Sequence, residues 1–254
     1  MNLATDLALA CDPVRLMEAL DLTPDPWQRD LLRSDAQRML LLCSRQAGKT
    51  CAAAILGLHT ALFKPPALVL LACPALRQAQ EIFRSLVTFY AKLGATVPTE
   101  GESSLKLELA NGSRLLALPG VASTTRGYSG ASLVILDEAA QIDDELYSAL
   151  APSLAVSNGR IILLSTPYGK RGVFHQLWTE AGPDWYRVKV TAAECPRIPA
   201  AFLEEQKAIM PRWVFEQEFG CVFHDDQLAA FASDDVRAAL SRDVVPLFEE
   251  ATSE

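Results

Sequence analysis

The chain is 254 residues long, half of them hydrophobic, with a formal net charge of −8. It can bury a full α/β core as one or two domains and is too apolar to be a disordered chain. The charge argues against a simple polyanion binder, yet residues 216–254 hold ten acids and two bases while residues 1–215 hold 21 of each sign, so a local basic groove is not excluded. Residues Met1–Cys11 lack the basic start and apolar run of a signal peptide, and no stretch approaches the roughly 18–20 apolar residues of a membrane helix. Six scattered cysteines without a C-x-x-C pair read as buried free thiols rather than a disulfide frame or zinc site, and the three histidines do not cluster as metal ligands.

In chain order, Leu3 to Leu20 carries apolar positions at helical spacing, with Asp12-Pro13 as a natural helix start. Thr23-Pro24-Asp25-Pro26 reads as a turn, after which Trp27–Leu32 resumes a helix. Arg38–Cys43 is the first strand. Cys51, Ala54, Ile55, Leu58 and Leu62 then predict a helix with one buried face, stopped by Lys64-Pro65-Pro66. Ala67–Cys73 is a continuous apolar run, as in a parallel strand covered on both sides, and Leu76 to Leu93 marks a long amphipathic helix. Alternation from Leu105 to Leu118 around Asn111-Gly112 predicts a β-hairpin inserted between parallel units. Leu133–Leu136 and Ile161–Ser165 are the third and fourth strands of the parallel set. After about Pro196 the chain turns helical and then acidic. Strand and helix alternate, which predicts an open, mainly parallel α/β sheet with right-handed crossovers.

One stretch carries the first chemical signal. Leu40-Leu41-Leu42-Cys43-Ser44-Arg45-Gln46-Ala47-Gly48-Lys49-Thr50 is an apolar strand, a short polar loop and a Gly-Lys-Thr that opens a helix. This is the order a phosphate-binding loop requires, with backbone N–H groups turned to the anion, Lys49 reaching the β- and γ-phosphates and Thr50 ligating Mg²⁺. The position usually held by a first glycine is Cys43. A second signal lies on a separate strand, where Leu133-Val134-Ile135-Leu136 ends in Asp137-Glu138. At that sheet edge Asp137 would hold the Mg²⁺ shell and Glu138 would polarise an attacking water. A second acid beside the metal-linked one is what hydrolysis needs, so the two motifs together predict an ATPase.

Three further stretches are open to two readings. Ser165-Thr166-Pro167 ends the strand predicted to lie beside Asp137-Glu138, where a hydroxyl pair would sense the γ-phosphate; an ordinary turn is the alternative. The following Tyr168-Gly169-Lys170-Arg171-Gly172 is either a basic loop for a nucleic-acid backbone or a solvated turn. Arg126, in Thr124-Thr125-Arg126-Gly127, is either a surface residue or a finger that neutralises transition-state charge, in its own subunit or a neighbour's.

With these motifs in this order, the chain from about Pro26 to about Phe223 resembles the ATPase domain of a large terminase subunit, the motor that packages DNA into tailed-phage capsids. In that family the phosphate loop commonly lacks the first glycine and carries an arginine, as Ser44-Arg45-Gln46-Ala47-Gly48-Lys49-Thr50 does. The acidic motif matches Val134–Ala140, the coupling motif Ser165-Thr166-Pro167, and the Arg-Gly element Arg126-Gly127. Gln28, in Pro26-Trp27-Gln28, resembles the upstream glutamine that reads the adenine ring.

The resemblance implies a P-loop NTPase of the RecA-like, additional-strand catalytic-glutamate type. It implies an ATPase core over 1–195 with a helical lead-in, a small helical subdomain over 196–223 and an acidic tail over 224–254. It implies ATP and Mg²⁺, double-stranded DNA, a homo-oligomeric ring, a portal protein and a small terminase subunit as partners, and a place in the host cytoplasm, transiently at the procapsid portal. The family's nuclease, with its Gly-x-Asp-x-Gly strand, has no counterpart in this sequence; Asp225-Asp226 and Asp234-Asp235 read as solvated charge, and no cutting activity is expected. The competing expectations are a superfamily-two helicase, which needs a second RecA-like half, and a nucleotide-dependent assembly protein with little turnover.

Overall fold

The computed structural model describes residues 3–120, 125, 127–225 and 239. Arg126 and nearly all of the acidic tail beyond Asp225 lie outside the described residues. The helices, in chain order, are α1 (Leu3–Cys11), α2 (Pro13–Glu18), α3 (Pro26–Arg33), α4 (Lys49–Phe63), α5 (Leu76–Lys92), α6 (Asp144–Leu150), α7 (Gly172–Glu180), α8 (Ala200–Ile209) and α9 (Arg212–Glu218). The strands are β1 (Arg38–Cys43), β2 (Leu68–Cys73), β3 (Thr99–Ser103), β4 (Lys106–Leu109), β5 (Arg114–Pro119), β6 (Leu133–Asp137), β7 (Arg160–Ser165) and β8 (Trp185–Val190).

They form one sheet in the order β3-β4-β5-β2-β6-β7-β1-β8. The six strands from β5 to β8 run parallel, and β4 and β3 extend one edge antiparallel. Strand β7 lies between β1 and β6, with Leu41 opposite Leu164 on one side and Asp137 opposite Leu164 on the other. The tips of β1, β7 and β6 are therefore side by side at one sheet edge. That edge is where an open parallel sheet binds ligands.

Alternate residues of each central strand feed two cores. Met39, Leu41 and Cys43 pack with α1 to α5 on one face, and Leu40 and Leu42 pack with Leu146, Leu150 and Phe174 of α6 and α7 on the other. Burial on both faces is why β1, β2, β6 and β7 are unbroken apolar runs. Helix α4 is nearly all buried because the sheet lies on one side and α2 and α5 on the other. The lead-in before β1 folds as three helices rather than two pieces. Asp12 caps α2 by accepting the Val14 N–H at 3.0 Å, which separates α1 from α2.

The hairpin also joins the sheet differently from the expectation. Strand β4 does return antiparallel into β5, but β5 pairs parallel with β2 along its whole length, so the hairpin is built from a member of the parallel set and is no separate insertion. Two strands, β3 and β8, have no counterpart in the sequence reading. Close packing is tightest at Gly159, ahead of β7, where a Cβ would run into the Ala131 carbonyl oxygen. Gly159→Ala is predicted to destabilise the fold by roughly 1–3 kcal/mol through overpacking. Urea unfolding measures this, and an unchanged midpoint would contradict it.

Candidate nucleotide-binding site

The phosphate loop is the five-residue turn, Ser44 to Gly48, between β1 and α4. Gln46 and Gly48 adopt left-handed backbone angles, φ 61° and 88°, and Gly48 stands at the N-cap of α4 without a side-chain cap. The first backbone bond of the helix runs from Ala52 N–H to the Gly48 carbonyl at 3.2 Å. Lys49, Thr50 and Cys51 therefore have N–H groups with no intrahelical acceptor, the arrangement that receives an anion.

The chemistry converges on this turn. The Thr50 hydroxyl donates to Asp137 Oδ2 at 2.8 Å, across the tip of β7. Lys49 is 6% exposed; its ammonium donates to the Ser44 carbonyl at 3.1 Å and lies 3.8 Å from Glu138 Oε1. Glu138 holds φ 53°, ψ 42°, a left-handed conformation that is uncommon for a side chain of its size and is found where a residue must be aimed. Its own N–H donates to Asp137 Oδ1 at 3.0 Å. Burial, and next the neighbouring Glu138 charge, push the Asp137 carboxyl up to about 6; the Thr50 hydrogen bond and Lys49 pull the other way. A desolvated carboxylate beside a hydroxyl is a hard oxygen donor pair suited to Mg²⁺ that keeps phosphate and water ligands as well.

The end of β7 and the residue after it contact the acidic segment. Buried Ser165 accepts the Ala140 N–H at 3.1 Å and so braces the turn after Glu138, and the Thr166 hydroxyl reaches Glu138 Oε2 at 3.4 Å. Pro167 is buried and turns the chain outward into Tyr168–Gly172. There the Arg171 guanidinium lies 5.2 Å from the Tyr168 ring centroid and Lys170 pairs with Asp225 at 3.2 Å.

The remaining loop residues are tied to the C-terminal segment. Ser44 N–H donates to the Val190 carbonyl at 2.8 Å, Arg45 N–H to the Glu218 carbonyl at 2.8 Å, and the Arg45 guanidinium pairs with the Glu218 carboxylate at 3.3 Å. Gln46 is exposed, and Ala47 is buried under the turn. Gln28 is fully buried, with its amide engaged at both ends: Oε1 accepts the Asp25 N–H at 2.9 Å and Nε2 donates to the Gly48 carbonyl at 3.1 Å. In this structure it braces the loop. Sequence reasoning missed Asp25 and Arg197. Arg197 donates to Ala47 O at 2.6 Å and to Asp25 Oδ2 at 2.7 Å, a contact across 172 positions that no local pattern announces.

Comparison with known proteins identifies the family and the fold. Residues 40–238 match the family described as terminase large subunit, T4likevirus-type, N-terminal. The chain belongs to that family. It is 26% identical over 257 residues to the large terminase subunit of Thermus phage G20c, covering 87% of this chain and 53% of that protein, so it spans about half the length of that relative. The fold superposes on the large terminase ATPase domain of Thermus phage P74-26 with a TM-score of 0.72 at 24% identity, covering 82% of this chain and 97% of that one. It also superposes on the large terminase of the thermophilic bacteriophage D6E in complex with ADP, with a TM-score of 0.61 at 11% identity over 82% and 52% of the two chains. Among the described residues no helix is long and apolar enough to cross a membrane.

The raised Asp137 carboxyl has a consequence for stability. Its folded value lies above the ordinary 3.8, so the bound proton favours the fold at low pH and that contribution is lost as pH rises through about 6. Without nucleotide or divalent ion, Asp137→Asn is predicted to melt higher than the parent at pH 8, by on the order of 2 kcal/mol, with the gap closing by pH 4. A lower melting temperature at pH 8 would contradict a desolvated carboxylate at Asp137.

Proposed function

We propose that this chain is the ATP-hydrolysing motor domain of a viral large terminase and that it couples hydrolysis to translocation of double-stranded DNA into a procapsid. The observation that carries the reading is the meeting of Lys49 and Thr50 with Glu138 and Asp137, at 3.8 and 2.8 Å, from two strands separated by β7. Family membership and the D6E complex with ADP support the nucleotide.

The residues divide the work. Backbone N–H groups of the loop and the first turn of α4 receive the phosphates. Lys49 exchanges its Ser44 carbonyl for the γ-phosphate. Thr50 and Asp137 would hold Mg²⁺, whose charge would offset that of the phosphates. Glu138, aimed by its left-handed backbone, orients the attacking water and accepts its proton. Thr166, in contact with Glu138, and Ser165, under the next turn, carry the change at the γ-phosphate through Pro167 into the loop beyond β7. Arg126 is the proposed finger, from its own subunit or from a neighbour in a homo-oligomeric ring. Portal protein and small terminase subunit complete the assembly, which acts in the host cytoplasm and transiently at the portal.

Glu138→Gln is expected to retain ATP binding and to lose turnover by about 10²–10⁴-fold, the scale of a positioned general base. Steady-state phosphate release measures it, and unchanged turnover would remove Glu138 from the mechanism. If Arg126 acts from a neighbour, subunits carrying Lys49→Ala should partly restore turnover when mixed with Arg126→Ala subunits, because each supplies what the other lacks. Mixed assemblies no more active than the sum of the parts would place Arg126 outside the neighbour's site.

A further inference from the structure

A phosphate loop that turns its N–H groups inward must turn carbonyls outward, and buried carbonyls need donors. Two part-buried carbonyls of the loop accept from side chains remote in sequence, and the Gly48 carbonyl accepts the Ala52 N–H as well. Gln28, ahead of β1, donates to Gly48 O at 3.1 Å; Arg197, after β8, donates through Nη2 to Ala47 O at 2.6 Å. The same Nη2 and the Nε also reach Asp25 Oδ2, at 2.7 and 3.2 Å. Asp25 is 6% exposed, and its backbone N–H in turn fixes Gln28 at 2.9 Å. Asp25, Gln28 and Arg197 thus form one unit clasped over the loop. Contact is close enough that a Cβ on Gly48 would stand 2.5 Å from Arg197 Nη2 and 2.8 Å from Gln28 Nε2.

We infer that Arg197 is a positioning residue for nucleotide binding: its guanidinium holds the Ala47–Gly48 peptide in the orientation that aims the loop at the diphosphate. The inference rests on the nucleotide-site reading above. A guanidinium fork serves carboxylate and carbonyl together, whereas an ammonium on a flexible stem serves them less well. Arg197 touches neither Asp137 nor Glu138, and its ion-pair partner among the described residues is Asp25. Its influence therefore falls on affinity for the phosphates and little on the hydrolytic step.

The test uses Arg197→Lys and the double variant Asp25→Asn/Arg197→Gln, which removes both charges and strands no buried carboxylate. Each is titrated calorimetrically with Mg²⁺-ADP and with Mg²⁺-pyrophosphate, melted without ligand, and assayed for ATP turnover. Both dissociation constants are expected to rise about tenfold or more, the scale of a charge-assisted hydrogen bond. Turnover at saturating ATP should stay within about threefold of the parent, as expected for lost ground-state binding. Unchanged affinities with a lowered melting temperature would make Arg197 merely structural and overturn the inference. Weakened ADP with unchanged pyrophosphate would also overturn it, by placing the guanidinium on the nucleoside. A parent chain that binds neither ligand would overturn both this inference and the nucleotide site; one that binds both and hydrolyses nothing even when assembled into a ring would overturn only the proposed function.

Discussion

The Thr50 hydroxyl meets Asp137 at 2.8 Å although the two residues sit on segments separated by a whole strand. That bond forms only if β1, β7 and β6 are adjacent, parallel and in a register that ends all three at one level. The sheet supplies this: Leu164 of β7 lies opposite Leu41 on one side and Asp137 on the other. The two buried cores fix that register, since a one-residue slip would exchange the residues facing α4 with those facing α6 and α7. The hydrophobic pattern of four strands is thus the cause of the geometry at their tips.

The site also stores unfavourable energy that the cores hold in place. Asp137 is a desolvated carboxylate beside a second acid, and Glu138 is a non-glycine residue in left-handed backbone. Such features persist where surrounding structure over-determines them, and they cluster where chemistry needs an aimed group. Here the bracing is visible. Ser165 secures the turn after Glu138, Thr166 touches its carboxylate, and the Asp137 side chain accepts the Glu138 N–H. On the loop's other flank Gln28, Arg197 and the Arg45–Glu218 pair perform the same service for the anion cradle.

How much of this was legible in the sequence depended on whether the cause was local. Strands β1, β2, β6 and β7 could be read because burial on both faces leaves an unbroken apolar run, and the loop and acidic pair could be read because their chemistry is fixed by spacing. Strand β8 was missed because it is an edge strand whose middle is only partly covered, and β3 because Thr99-Glu100-Gly101-Glu102-Ser103 has no apolar face at all. The hairpin turn at Asn111-Gly112 was readable, but the parallel pairing of β5 with β2 is a long-range choice that no turn specifies. Arg45 stood out in the loop without a partner until Glu218 was placed beside it in space. Arg197 gave no signal, because its meaning lies in Asp25 and Ala47, and both are remote.

On the proposed function, one nucleotide joins the β1 loop to the tip of β6. A high-resolution structure of the chain with Mg²⁺ and a non-hydrolysable ATP analogue tests it most directly. The expected result is a metal about 2.0–2.1 Å from the Thr50 hydroxyl oxygen, with Asp137 in its coordination sphere and the γ-phosphate between Lys49 and Glu138. Nucleotide bound elsewhere would contradict it, for instance in the cleft of about 680 Å³ lined by Arg33, His59, Lys64 and Arg160.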